Sequence, residues 1–308
     1  MSKFQPFSVT ILGNSSAAPT NNRNLTAQLV TYENRRFLID CGEGTQNRFV
    51  QLHVKQTNMD QIMISHLHGD HFYGLFGLIS TLHLFGREKP LTIYAPAALE
   101  ALLKEVFRVS DTRINFPIEF VALEDFISES LINDEQLNIK CFPVNHRIPT
   151  WGFKFTEQPK RRKIKKDFIE QYRPTILQIK AIKLGEGFNT SHGHNLLHKD
   201  ITGEAPSIRC YAYCADTAFY EPIINEIQHA NLIYHEATFD STLEQLAAEK
   251  FHSTARQAAL VAQKAQVGKL LIGHFSARYK DLNPLLLEAR EIFHETYLSE
   301  EGTCYQIE

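Results

Sequence analysis

The chain has 308 residues, 43% of them hydrophobic, with a formal net charge of −3. No apolar stretch approaches the 18 residues of a membrane span, and the N-terminus passes straight into a strand-like run, so the sequence predicts a cytosolic protein with no membrane partner. Five cysteines, at 41, 141, 210, 214 and 304, are an odd number spread over a long chain with no C-x-x-C pair, which predicts free, reduced thiols.

In chain order, strand-like runs are predicted near Phe7 to Leu12 and Arg36 to Asp40. Gly42 and Gly44 then permit a tight path into a helix over Gly44 to Lys55, and Asp40 reads as a supporting or structural residue. From Met59 to Ser65 the apolar Ile62, Met63 and Ile64 read as a buried strand, with its core at Gln61 to Ile64, which delivers SHLHGDH at its carboxyl end. This motif places His66, His68, Asp70 and His71 within six residues. Imidazole nitrogen and carboxylate oxygen are what Zn²⁺ and similar cations take, so the cluster predicts a metal site. Four side chains from one short loop do not easily converge on a single tetrahedral ion, and two ions are the natural reading.

A helix over Tyr73 to Phe85 and a strand over Leu91 to Tyr94 follow. Further ligand candidates end later apolar runs: His146 after Ile139 to Val144, Asp216 after Tyr211 to Ala215, and His274 after Leu270 to Gly273. A strand at Leu232 to His235 is flanked by helices at Glu221 to His229 and Thr254 to Ala265, and a last helix is expected over Pro284 to Tyr297. The alternation is α/β. His192, His194 and His198 lie in a loop-like stretch without matching acids or cysteines and do not read as a second metal site.

Charge changes abruptly at Lys154. From there to Lys183 ten Lys or Arg face three acids, a balance of +7, while the remainder of the chain carries −10. The core of the run, Lys160, Arg161, Arg162, Lys163, Lys165 and Lys166, could neutralise several phosphates and gain affinity through counterion release.

SHLHGDH, the distant His146, Asp216 in CADT and His274 in GHFSARY together resemble the metallo-β-lactamase fold. Within it, LGNSSAAPTNNRN, LIDCGEGTQ, YHEATF, FHST and GHFSARY resemble ribonuclease Z, the endonuclease that trims tRNA precursor 3′ ends. The resemblance spans nearly the whole chain. It implies a single domain over 1–308, a four-layer αβ/βα sandwich, with a projecting basic arm inserted at about 154–188. It also implies two Zn²⁺ per chain, although Mn²⁺ and Fe²⁺ accept the same ligands. One ion would be held by His66, His68 and His146, the other by Asp70, His71 and His274, with Asp216 between them.

The same resemblance assigns Asp70 to orient or deprotonate the attacking water, and His252, assisted by Glu236, to protonate the departing 3′ oxygen. Ser276 and Arg278, just after His274, are candidate phosphate contacts, Arg being suited by its planar fork. The implied substrate is a tRNA precursor cut after the discriminator nucleotide, leaving a 3′ hydroxyl on the tRNA and a 5′ phosphate on the trailer. In the family the arm grips the tRNA elbow, usually across a homodimer, and no DNA partner is implied. Two other readings stay open on the ligand set alone: a hydrolase of the same scaffold acting on a small phosphodiester, thioester, lactone or sulfate ester, and a noncatalytic RNA-binding scaffold.

Overall fold

The computed structural model describes residues 6–56, 59–126, 129–214 and 216–308. Ala215, at the end of one expected strand, lies outside them. Two seven-stranded mixed sheets face each other. The first runs, edge to edge, through Cys304–Gln306, Phe7–Gly13, Ala27–Tyr32, Arg35–Ile39, Met59–Met63, Leu91–Ala95 and Ile118–Ala122. The second runs through Thr296–Leu298, Lys269–Gly273, Leu232–Glu236, Cys210–Cys214, Trp151–Glu157, Leu137–Pro143 and Ser130–Asn133.

Strands in the middle of these sheets are apolar on both faces because both faces are covered. In Arg35–Ile39, Phe37 and Ile39 point between the sheets, where they meet Phe153, Phe155, Tyr211, Tyr213 and Tyr234. Leu38 points the other way, under the helix Gly74–Leu84 with Leu75, Leu78 and Ile79. The second sheet is covered by Ala255–Lys264, whose small Ala255, Ala258, Ala259 and Ala262 are all buried against it. The result is helix, sheet, sheet, helix, the four-layer αβ/βα sandwich expected from the sequence.

Parallel pairing decides where the chemistry sits. Arg35–Ile39 and Met59–Met63 are parallel neighbours, as are Cys210–Cys214, Leu232–Glu236 and Lys269–Gly273. Asp40, the SHLHGDH loop, Asp216, Glu236 and His274 therefore all emerge at or just beyond carboxyl ends of strands, the usual place for ligand sites in such sheets. Leu137–Pro143 reaches the same rim and is followed by His146. Asp40 and His274 each break their strand with a left-handed backbone, φ of 56° and 57°. That conformation is strained for a residue with a side chain and is held here by the packing around it.

Trp151–Glu157 runs antiparallel to both its neighbours, so its Glu157 lies at the opposite rim. There the chain leaves the sandwich, and it returns at Arg209. The insertion is displaced from the expected 154–188: Lys154 belongs to a sheet strand, and the inserted segment continues past Ile201. It holds its own small core of Phe168, Ile182, Phe188 and Ile201, backed by Ile164, Tyr172 and Leu196. Two helices, Lys166–Tyr172 and Ile176–Lys183, supply half of this core, the second started by a Thr175–Gln178 capping box.

Some expected helices run too long: the one over Gly44 to Lys55 spans Thr45–Gln51. The last helix ends at Arg290 instead of Tyr297, and Thr296–Leu298 is the edge strand of the second sheet.

Candidate metal centre

The SHLHGDH loop begins as soon as its strand ends, with Trp151 N–H donating to the Ser65 carbonyl at 3.1 Å and tying the loop to the second sheet. His66 Nε2 lies 3.1 Å from His68 Nδ1, which in turn lies 3.1 Å from His146 Nε2. Asp216 Oδ2 is 3.7 Å from His66 Nε2. On the other side, His71 Nε2 and His274 Nε2 stand 3.2 Å apart, and Asp70 Oδ2 is 3.6 and 3.4 Å from them. Asp216 turns its second oxygen here, with Oδ1 3.4 Å from His71 Nε2 and 3.3 Å from His274 Nε2. The seven side chains thus form two donor groups, and Asp216 presents one oxygen to each.

Outer hydrogen bonds aim the rings. His71 Nδ1–H donates to Asp40 Oδ2 at 2.7 Å, and Ser65 Oγ, 3.0 Å from His66 Nδ1, donates to the same Asp40 oxygen at 2.9 Å. His146 Nδ1–H donates to the Phe251 carbonyl at 2.8 Å. His274 Nδ1 lies 3.0 Å from Thr238 Oγ1, which donates to Glu236 Oε2 at 2.8 Å. Each of these contacts leaves the opposite ring nitrogen to face inward with its lone pair, as a ligand requires.

The donor set fits cations. Asp70 and Asp216 have no Lys or Arg ion-pair partner among the described residues, only histidines. Burial disfavours charge on His66, and with the neighbouring His71 it holds that imidazole well below its usual pKa; burial and His146 bring His68 down to about 4. Neutral imidazoles are ligands. Burial also opposes charge on His71, yet Asp216, Asp70 and Asp40 hold it well above the usual value. Cations between these carboxylates would take over that compensation and leave the ring free to ligate.

Beside the second group, His252 Nδ1 lies 2.7 Å from Glu236 Oε1. Glu236 is fully buried at its strand end and accepts from the backbone N–H of Thr217 and Thr238 at 3.0 and 3.1 Å. Burial opposes charge on His252, but the Glu236 carboxylate outweighs it and, with more distant help from Asp216 and Asp70, lifts the imidazole to about 9. The loop carrying His252 is pinned by the Thr254–Gln257 capping box two residues on.

These groups open into one cavity of about 720 Å³, also lined by Ser276 and Arg278. Arg278 lies 4.9 Å from the Phe239 ring centroid, with Nε donating to Ser276 Oγ at 3.1 Å. The basic run is elsewhere, beyond Glu157 at the far rim. His192, His194 and His198 join no donor group among the described residues.

The chain is 41% identical over 296 residues to the ribonuclease Z of Parabacteroides distasonis, an alignment covering 96% of this chain and 97% of that one. It belongs to the ribonuclease Z family. Among solved structures, the short form of human tRNase Z is similar over 98% of this chain and 99% of that one, with a TM-score of 0.72 at 26% identity. The metallo-β-lactamase fold protein YhfI from Bacillus subtilis has a TM-score of 0.69 at 17% identity over 98% and 99% of the two chains. A family model described as Anti-Pycsar protein Apyc1 matches residues 7–158. The metallo-β-lactamase fold implied by the motifs is thus the fold observed.

Beyond the motif residues, this ribonuclease Z family member brings Tyr73, Arg147 and Lys250 to the cavity. Arg147 Nη2 lies 3.1 Å from His68 Nε2. Of the three, Arg147 had a signal in the sequence, its place directly after a ligand candidate.

Proposed function

We infer that this protein is a metal-dependent endoribonuclease that removes 3′ trailers from tRNA precursors, cutting after the discriminator nucleotide and leaving a 3′ hydroxyl on the tRNA and a 5′ phosphate on the trailer. The observation that carries this reading is the pairing of two donor groups through Asp216 with the Glu236–His252 pair in one cavity of a ribonuclease Z chain.

His66, His68 and His146 would hold one Zn²⁺ and Asp70, His71 and His274 the other, with Asp216 offering an oxygen to each donor group. When bound, the cations supply a nucleophile at neutral pH and Lewis-acid stabilisation of the phosphodiester oxygens. Asp70, fixed through Oδ2 by the Ala17 N–H at 2.7 Å, orients the attacking water and draws its proton. His252, held charged by Glu236, donates a proton to the departing 3′ oxygen of the tRNA. Arg278, with Ser276, contributes to phosphate binding at the wall of the cavity.

The insertion is the tRNA-gripping arm. Its base lies at the rim opposite the metal centre, separated by a seven-residue strand, roughly 20 Å at ~3.3 Å per residue. That placement supports a homodimer in which one protomer's arm holds the tRNA cut by its partner. A cytoplasmic location suits both tRNA precursors and the five free cysteines. No helix of the described residues is long and apolar enough to cross a membrane.

The test is incubation of the protein with an end-labelled tRNA precursor and mapping of the cut. A single cut after the discriminator, with those end groups, is expected. Cleavage of a small phosphodiester with the precursor left intact would favour the general hydrolase, and tight RNA binding without metal would favour the scaffold.

A further inference from the structure

Tyr73 is 60% exposed, although the residues on either side of it, Phe72 and Gly74, are buried. Its ring lines the same cavity as His68, Asp70, His146 and His252. One face of the ring is backed by the protein. A Cβ on Gly69 would stand 2.2 Å from Tyr73 Cε2, so the ring rests on the backbone that links His68 to Asp70, in space that only a glycine leaves open. Phe72 supports the edge, with centroids 4.8 Å apart and planes at 60°. The phenol makes no hydrogen bond among the described residues, so the ring serves neither the buried core nor a polar network of the fold.

An aromatic ring with one face buttressed and the rest open, next to a site that cuts RNA, matches the way single-stranded nucleic acid is held. Unpaired bases stack on aromatic faces, and stacking tolerates any base because each has a π-face. A processing enzyme that meets many trailer sequences needs that tolerance. Arg147, Lys250 and Arg278 line the same cavity and suit phosphates, whereas Tyr73 is the large exposed aromatic among its lining residues.

We propose that Tyr73 is the stacking platform for the base next to the scissile phosphate, and so sets the preference for a single-stranded nucleotide at the cleavage point. The proposal rests on the precursor-tRNA reading above and goes beyond it in naming a residue and a contact. Its position beside Asp70 limits the stacked base to one of the two nucleotides flanking the cut bond.

The test compares an intact tRNA precursor with versions carrying an abasic nucleotide immediately 5′ or 3′ of the cut. For the unmodified protein, one abasic version should lose about 5- to 150-fold in kcat/KM, the usual worth of a stacked base. Tyr73→Ala should lose as much on the intact precursor and nothing further on that abasic version, while Tyr73→Trp keeps the discrimination. Bound metal, measured by emission spectroscopy, should be the same in all three proteins. Equal slowing of intact and abasic substrates by Tyr73→Ala, with or without a change in oligomeric state, would overturn the proposal, as would full activity of Tyr73→Ala. If the unmodified protein fails to cut the intact precursor, the functional reading itself falls and this proposal with it.

Discussion

Tyr213 and Asp40 stand on opposite sheets, and the Tyr213 hydroxyl donates a 2.6 Å hydrogen bond to the Asp40 oxygen that also holds His71. That oxygen accepts from Ser65 Oγ as well, and the other oxygen accepts from the Ser65 N–H at 2.7 Å. One buried carboxylate thus aims a ring in each donor group, His71 directly and His66 through Ser65, and is locked across the core by the second sheet. From the other sheet Glu236 orients two further rings, His252 directly and His274 through Thr238.

Asp40→Asn keeps the volume but removes the charge that orients His71. Metal affinity should fall about 10- to 100-fold, the usual effect of losing a ligand's supporting carboxylate. Tyr213→Phe should show a smaller loss, since the ring stays stacked on Tyr234 at 5.2 Å. Titration of each protein against a coloured chelator measures both.

Asp216→Ala removes an oxygen from each donor group at once, whereas His68→Ala depletes only one. Metal content should drop well below two equivalents in Asp216→Ala and to about one in His68→Ala. A chelator should abolish cleavage by the unmodified protein, and restored activity on adding Zn²⁺ checks that the loss is reversible.

That the seven candidate ligands would meet was legible in the sequence because each lies in the loop or short helix that leaves a strand's carboxyl end, so a strand-end rule and residue chemistry suffice. Of the groups behind them, Asp40 was read as a supporting residue, but its partner Tyr213 was not: the two are 173 residues apart, and nothing local in either predicts a bond across the core. Charge marked the insertion but misplaced it, because its limits follow Phe168, Ile182, Phe188 and Ile201, apolar positions too widely spaced to form a periodic pattern. The last helix was overextended for a related reason. Phe293 and Tyr297 continue an apolar spacing, but the chain turns after Arg290 and Thr296–Leu298 pairs with Lys269–Gly273.

His252→Ala should slow precursor cleavage by about 10²- to 10⁴-fold, the range for a lost general acid, with KM little changed. A nitrophenyl phosphodiester releases an oxygen that needs no proton, so its hydrolysis should be spared. Glu236→Gln should behave similarly, since without the carboxylate the imidazole loses its partner. Comparing kcat on the two substrates decides the role; equal loss on both would make His252 a structural residue.

Within the basic run the side chains divide. Lys160 pairs with Glu157, Arg162 donates to the Gly203 carbonyl and Lys165 to that of Asp200, so these three brace the inserted segment. Arg161, Lys163 and Lys166 are exposed and make no ion pair or side-chain hydrogen bond among the described residues. Replacing these three by Gln should weaken precursor binding and lower the slope of log affinity against log salt by roughly two to three, as expected for three lost phosphate contacts. Hydrolysis of a small diester should be unaffected, and filter binding over a salt series provides the measurement.

Glu157 marks where the chain leaves the sandwich and Arg209 where it returns. Arg209 Nη2 donates to Glu157 Oε1 at 2.7 Å and Nε to Oε2 at 3.0 Å, and Lys160 adds a further bond. Burial opposes charge on Glu157, but these cations outweigh it and lower its carboxyl from 4.5 to about 2. A carboxyl depressed on folding contributes stability above its unfolded pKa, and that contribution is lost as pH falls from about 4.5 toward 2. The base of the insertion should therefore loosen on acidification through this window, read as faster amide exchange in the strand Trp151–Glu157 and the residues after it. Glu157→Gln should destabilise the protein at neutral pH by about 3 to 5 kcal/mol, because Arg209 stays buried without its carboxylate. The variant should also lose the acid sensitivity of that segment; an unchanged pH profile would assign it to another group.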